Sequence, residues 1–251
     1  MSLEKYRNSN KEKLRIQSLF GLMSMRGGIA LDVGARDGYL SLKLADIFNK
    51  VIAVDLELPQ VIHGRVECLI GNITCLDFLD NTFDLVLCAE VLEHIAKNEL
   101  NIACRELARV TKDYLIVGVP CNQDLRLGKT TCYSCGEINP PWGHINKFDL
   151  HEIMKLFPNL IVDKVDYVCS SKSRTNFISS FLMDCANNPY GTYSQDELCV
   201  FCGNKLVPPK PNVVHKILTK IALTLDVIQS FFVKETPVWI HVSFKKTECL
   251  E

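Results

Sequence analysis

The chain has 251 residues, of which 47% are hydrophobic and 23% charged, with a formal net charge of −1. That length can bury one sizeable core and carry an inserted subdomain. The near-zero charge argues against a broad basic surface for duplex nucleic acid, though a local basic groove stays open.

Residues 4 to 25 mix charges with Leu14, Leu19, Leu22 and Met23, the pattern of an amphipathic leading helix. "GIALDVGARDGYLSLKLADIF" reads as a buried strand, a glycine-bearing turn and a helix. "KVIAVDLE" is a second strand that ends on acidic residues, and "VECLIGNI" is a third. "FDLVLCAEVLEHI" is a fourth strand running toward a helix, and "DYLIVGVP" is a fifth, stopped by Pro120. Such apolar strands, alternating with helical patterns, predict a doubly wound, mostly parallel sheet covered on both faces. Its ligand crevice belongs at the carboxyl ends of the strands.

After Pro120, residues 121 to 147 are rich in Gly, Pro, Cys and Asn and read as a long loop. "FDLHEIMKLF" returns to helical spacing, and "LIVDKVDYV" is a sixth strand. Residues 171 to 212 read as irregular. A helix then carries a stripe of Val214, Ile217, Ile221, Leu225, Ile228 and Phe232, before the strand-like "PVWIHVSFKK". That stripe is expected to bury itself on the neighbouring module. The alternative is a membrane-surface or partner-binding helix rimmed by Lys216 and Lys220. The apolar run from Val213 to Val233 is broken by Lys216, Lys220 and Asp226, so no transmembrane segment is expected. Met1 to Lys13 is polar and shows no signal-peptide pattern. Cys68, Cys75, Cys88 and Cys104 sit in apolar runs, where a reduced thiol is a small hydrophobe. Together these features predict a reducing, cytoplasmic setting.

In "LDVGARDGYL", Asp32, Gly34 and Gly38 follow the first strand, where glycines let the backbone turn sharply and approach a ligand. Asp55 ends the second strand 17 positions beyond Gly38, placed to accept both hydroxyls of a ribose. An NAD-binding dehydrogenase is the competing reading, but "GARDGY" lacks the G-x-G start. From Ile29 to Pro120 the chain resembles the class I S-adenosylmethionine-dependent methyltransferases, in particular the small-molecule-type subgroup. The family's first motif falls on Asp32, Gly34 and Gly38, and its ribose acid on Asp55 with Leu56 beside it. Its adenine contacts fall on Asn72 and Ile73, and Cys88 near the end of the fourth strand joins the cofactor-binding set. Leu92-Glu93-His94 matches a tripeptide beyond that strand, and "GHINKFDLHEIMKLF" matches the entry to the family's late helix. The resemblance implies a seven-stranded Rossmann-like sheet of order 3-2-1-4-5-7-6, with S-adenosylmethionine as cofactor and S-adenosylhomocysteine as product. One departure stands out: Arg36 occupies the place of the family's middle glycine, where its guanidinium either pairs with the cofactor carboxylate or points to solvent.

A sulfonium methyl is already activated, so the main task is to align a nucleophile behind it. A base is needed only where the acceptor must lose a proton. Glu90, Glu93, His94 and His144 are the candidates near the ends of strands four and five; His94 and His144 are the catalytic candidates, with loop bonding by His94 and substrate orientation or capping of the helix near Phe148 by His144 as the alternatives. Asp84 reads as structural, and His63, His151, His215 and His241 as surface or packing residues.

Cys132-x-x-Cys135-Gly136 is repeated as Cys199-x-x-Cys202-Gly203, the spacing of a tetrahedral four-thiolate zinc site. A redox dithiol pair is the runner-up, and a catalytic zinc is third because four thiolates leave no open position. Structural Zn2+ would staple two long loops into a lid on the substrate side. The predicted organisation is an N-terminal helical segment (1–28), a cofactor-binding core (29–121) and a loop with the first knuckle (122–147). The late helix and sixth strand follow (148–170), then an insertion with the second knuckle and amphipathic helix (171–236), then a closing antiparallel strand and tail (237–251). The expected activity is methyl transfer to a small or medium-sized acceptor. RNA or protein methylation, with the zinc module presenting the macromolecule, and a non-catalytic cofactor-binding regulator are the alternatives. Oligomeric state has no sequence signal.

Overall fold

The structure is a computed structural model in which residues 7–193 and 198–247 are described. It divides into two compact units. The first comprises Asn10–Cys121, Phe148–Cys169 and Val238–Glu251, and the second Met1–Ser9, Asn122–Lys147 and Ser170–Pro237.

The first unit is built on strands β1 (Ile29–Val33), β2 (Lys50–Asp55), β3 (Val66–Ile70), β4 (Phe83–Ala89) and β5 (Thr111–Pro120). All pair in parallel: β1 with β2 and β4, β2 with β3, and β4 with β5. β9 (Thr236–Lys245) runs antiparallel to β5, from Tyr114↔Lys245 to Pro120↔Trp239. β8 (Ile161–Ser171) completes a seven-stranded sheet of order β3-β2-β1-β4-β5-β9-β8. This is the expected order, with the closing strands renumbered because two short strands intervene in the second unit.

Two apolar layers sandwich the sheet, because successive residues of a strand point to opposite faces. Ala30, Leu85, Leu87 and Ile116 face one layer with Leu19 of helix α1 (Asn10–Gly21) and Leu44 of α2 (Tyr39–Ala45). Leu31, Val33, Val86 and Val117 face the other with Leu107 of α3 (Leu100–Val110) and Ile153 of α4 (Leu150–Leu156). Among the cysteines read as buried, Cys88 and Cys104 are, whereas Cys68 is half-buried and Cys75 is exposed.

The second unit holds a two-stranded ribbon, β6 (Thr130–Thr131) with β7 (Ile138–Asn139), inside the stretch expected to be loop. It also holds α5 (Phe177–Cys185) and α6 (Val213–Ser230), which pack together. α5 corrects the irregular reading of residues 171–212. Its start signal is Asn176, whose side chain accepts the Ser179 N–H as an N-cap.

Candidate cofactor site and four-cysteine cluster

β1 stops at Val33 and the backbone turns at once. Gly34 (φ 77°), Arg36 (φ 50°) and Gly38 (φ 72°) are all left-handed. A Cβ on Gly38 would lie 1.8 Å from Val61 Cγ2, and one on Gly34 would lie 2.2 Å from Val91 Cγ2. Both positions therefore require glycine for space as well as for φ. The Gly34 and Ala35 N–H groups donate to the Val54 carbonyl at 2.8 and 3.1 Å, which ties the turn to the end of β2. Asp55 accepts the Arg36 N–H at 2.6 Å on one oxygen and the Leu56 N–H at 2.7 Å on the other. Each oxygen retains a lone pair for a ribose hydroxyl, so the acceptor pair fits a nucleoside diol.

The other cofactor candidates differ in environment. Asp32 is buried and accepts Ser41 Oγ at 2.6 Å, and burial raises its carboxyl to about 6 against that bond. Cys88 is fully buried in the apolar layer, where burial pushes its thiol well above the usual range. Ile73 is buried and Leu56 is exposed. Asn72 forms an Asx turn, its Oδ1 accepting the Thr74 N–H at 3.0 Å and Oγ1 at 2.9 Å. The Arg36 side chain is exposed. Asp84 is structural, accepting the Ile29 N–H at 2.7 Å and Lys112 Nζ at 2.6 Å.

Past the carboxyl end of β4 stand the candidates Glu90 and Glu93, and the polar groups of α1 and β9 near them are ones that periodicity did not reveal. Glu90 has φ 59°, and its Oε2 accepts Trp239 Nε1 at 3.2 Å. Burial raises its carboxyl, opposed by the nearby Arg15 guanidinium. Glu93 is fully buried, and burial followed by Glu90 pushes its carboxyl well above the usual range. Arg15 grips Glu12 through two bonds of 2.8 and 2.6 Å, both residues buried on α1. Ser18 Oγ donates to Asp166 at 2.6 Å and meets His241 Nδ1 at 2.7 Å. His241, expected to be a surface or packing residue, is fully buried, and burial with Arg15 lowers it to about 3. His94 ends a 3-10 turn, Leu92–His94, with its side chain exposed.

Residues 31–116 match a family described as a methyltransferase domain. That match spans β1 to β5, about a third of the chain, and the sheet has the order of the Rossmann-like methyltransferase fold. A demethylmenaquinone methyltransferase of Renibacterium salmoninarum is 35% identical over 91 residues, 34% of this chain and 38% of the relative. A mitochondrial ubiquinone biosynthesis O-methyltransferase of Schizosaccharomyces pombe is 36% identical over 77 residues, 26% of this chain and 28% of the relative. The chain thus spans well under half the length of these curated relatives. A crystal structure of the Burkholderia thailandensis 1,6-didemethyltoxoflavin-N1-methyltransferase, with 1,6-didemethyltoxoflavin and S-adenosylhomocysteine bound, superposes with TM-score 0.56. It covers 98% of this chain and 82% of its own at 12% identity, a likeness of fold.

Outside the matched methyltransferase segment, the second unit brings all four cysteines of the two knuckles together. Their sulfurs lie within 4.8 Å of one another, with Cys132 to Cys202 and Cys135 to Cys199 both at 3.7 Å. The knuckles share one backbone pattern. Cys132 N–H donates to Glu137 O and Gly136 N–H to Cys132 O; Cys199 N–H donates to Asn204 O and Gly203 N–H to Cys199 O. Gly136 (φ 78°) and Gly203 (φ 70°) close each turn. The β6–β7 ribbon flanks the first knuckle and a Leu198↔Lys205 bridge the second. The Val200 N–H donates to Asn139 Oδ1 at 2.9 Å and joins them. Burial disfavours charge on Cys199, yet the N–H groups of Phe201 and Cys202 bring its thiol down to about 6. His144 is buried in this unit, with Nδ1 2.6 Å from Gln123 Oε1.

Proposed function

We propose that this protein transfers a methyl group from S-adenosylmethionine to a small or medium-sized acceptor, with structural zinc in its second unit. The observation that carries the reading is the glycine turn laced to Asp55, which offers lone pairs for a ribose and no side chain at Gly34 or Gly38. Gly34, Gly38 and Asp55 would hold the ribose and backbone-facing edge of the cofactor, Leu56, Asn72 and Ile73 its adenine, and Arg36 its carboxylate. Asp32 in β1 and Cys88, paired with Val33 from β4, complete the proposed cofactor-binding set. When bound, S-adenosylmethionine supplies an activated sulfonium methyl. The chain's own work is then to orient the acceptor, exclude water and take up a proton where the acceptor carries one. His94 and His144 are proposed for that last role, on the chemistry of imidazole near neutral pH. The likeness to relatives named for demethylmenaquinone and ubiquinone biosynthesis supports a small acceptor over a macromolecule.

Zinc is supported by the sulfur spacing. A tetrahedron with metal–sulfur bonds of about 2.3 Å has edges of about 3.8 Å, close to the two Sγ···Sγ separations of 3.7 Å. A disulfide would need about 2.05 Å. Four thiolates leave no open position, so the ion is assigned a structural role. The second unit's segments leave the sheet after β5 and after β8, and on that connectivity it is assigned to acceptor recognition, as a lid.

The test is calorimetry with S-adenosylmethionine and S-adenosylhomocysteine, followed by turnover of a labelled methyl donor against metabolite and RNA pools. Heat with both nucleosides and label in a small molecule is expected. An absence of heat with either nucleoside overturns cofactor binding, and label confined to RNA overturns the acceptor class.

A further inference from the structure

α6 is folded inside out. A helix on a globular protein normally turns its apolar stripe to the core. Here the buried positions are Thr219 and Ala222, with Asp226 and Leu225 half-buried, whereas Val214, Ile217, Ile221, Ile228 and Phe232 of the stripe are 60, 54, 46, 51 and 84% exposed. The stripe expected to pack on the module therefore faces solvent, which corrects that reading. The reason is the partner helix, which presents Ser179 and Ser180 inward while Phe177, Ile178 and Phe181 are exposed. Ser179 Oγ donates to the Ala222 carbonyl at 3.2 Å, and Thr175 Oγ1 donates to Asp226 Oδ1 at 2.8 Å. Small and hydroxyl-bearing residues between helices, with apolar side chains outside, are how helices pack in a lipid environment.

Charge on the outer face has one sign. Between Val213 and Val233 the exposed charged side chains are Lys216 and Lys220, because Asp226 is turned inward to Thr175. Both ammonium groups border a groove of about 500 Å3 lined with Tyr190, Thr219, Leu223 and Val227. Lysines beside an apolar groove match an anionic headgroup above acyl chains. None of the described helices is long and apolar enough to cross a membrane. We propose that the α5–α6 pair lies on the surface of an anionic phospholipid bilayer, with its apolar side chains in the acyl boundary and Lys216 and Lys220 at the phosphates.

The full chain is tested by co-sedimentation with phosphatidylcholine vesicles, with and without phosphatidylglycerol. Expected is binding to the mixed vesicles that weakens with salt and is much poorer with phosphatidylcholine alone. Lys216→Gln/Lys220→Gln should weaken it about 25-fold, at about fivefold per lysine. Phe231→Ser/Phe232→Ser, on side chains that are 80 and 84% exposed, should weaken it at least tenfold with an unchanged circular dichroism spectrum. Failure to bind either vesicle overturns the proposal, as does binding that is indifferent to the phenylalanine pair. Light scattering that shows a dimer, with no sedimentation, would assign the face to a second copy of the chain instead.

Discussion

Arg36 lets two contributions at the cofactor turn be separated by a pair of substitutions. Its φ of 50° places a residue with a Cβ in left-handed backbone, at a cost of roughly 1–2 kcal/mol. Its N–H donates to Asp55 at 2.6 Å whatever the side chain, so that bond survives substitution. Arg36→Ala keeps the conformational cost and removes the guanidinium. Arg36→Gly removes both, at the expense of a more flexible unfolded chain. The glycine variant should therefore be the more stable of the two by about 1 kcal/mol, or about 2–4 °C in melting temperature for a chain of this size. Cofactor affinity separates the other contribution. A charge-assisted hydrogen bond is worth about 1.5–3 kcal/mol, and the exposure of this side chain favours the lower end. Both variants should then lose about tenfold in affinity for S-adenosylmethionine by titration calorimetry, and by the same factor. Wild-type affinity in Arg36→Ala removes the guanidinium from the site. A glycine variant no more stable than the alanine variant refutes the backbone argument.

Asp32→Asn should stabilise the protein at pH 7.5 and much less at pH 4. A carboxyl raised from 3.8 to about 6 loses stability as pH rises through that window, by about 3 kcal/mol in all. Urea unfolding of both proteins at the two pH values measures the difference. His241, lowered to about 3, works in the opposite sense: its contribution is intact above pH 6.5 and fades as pH falls toward 3, by up to about 1.4 kcal/mol per unit. His241→Asn should flatten that acid limb, and equal acid sensitivity in both proteins would count against it. Cys199→Ser, or treatment with a strong chelator, should release one zinc per chain by elemental analysis and unfold the second unit. Nucleoside binding by the core should persist, and parallel loss of both would refute a purely structural ion for that unit.

Features set by short-range geometry were legible. A strand, a left-handed glycine turn and a terminal acid lie within Ile29 to Asp55, and each requirement is local: Gly38 is needed for its φ and for Val61. The knuckles are equally local, since each Cys-x-x-Cys-Gly turn makes the same two backbone bonds regardless of what surrounds it. The order of the sheet was not local information; it came from the resemblance, because nothing in the strand patterns says that β9 inserts between β5 and β8. Glu12 and Arg15 were illegible for a different reason. Charges three residues apart on a helix read as a solvated face, and only the side chains packed around α1 reveal that both are buried.

α6 shows the same limit from the opposite side. Hydrophobic periodicity reports that one face of a helix is apolar, not which way that face points. The direction depends on what the opposite face can bond. Here Ala222 and Asp226 meet Ser179 of α5 and Thr175 just before it, so the polar side has the protein partner and the stripe does not. Burying the stripe instead would carry Asp226 out to water and leave the Thr175 and Ser179 hydroxyls against apolar side chains without their acceptors, at about 1–3 kcal/mol for each buried hydroxyl left unsatisfied. Thr175→Val therefore bears on the orientation directly. Losing a hydroxyl partner to a half-buried carboxylate should destabilise the second unit by about 1–3 kcal/mol. Loss of that size in thermal unfolding, with zinc retained, supports the inward polar seam, and a neutral effect would mean that the helix is held the other way round.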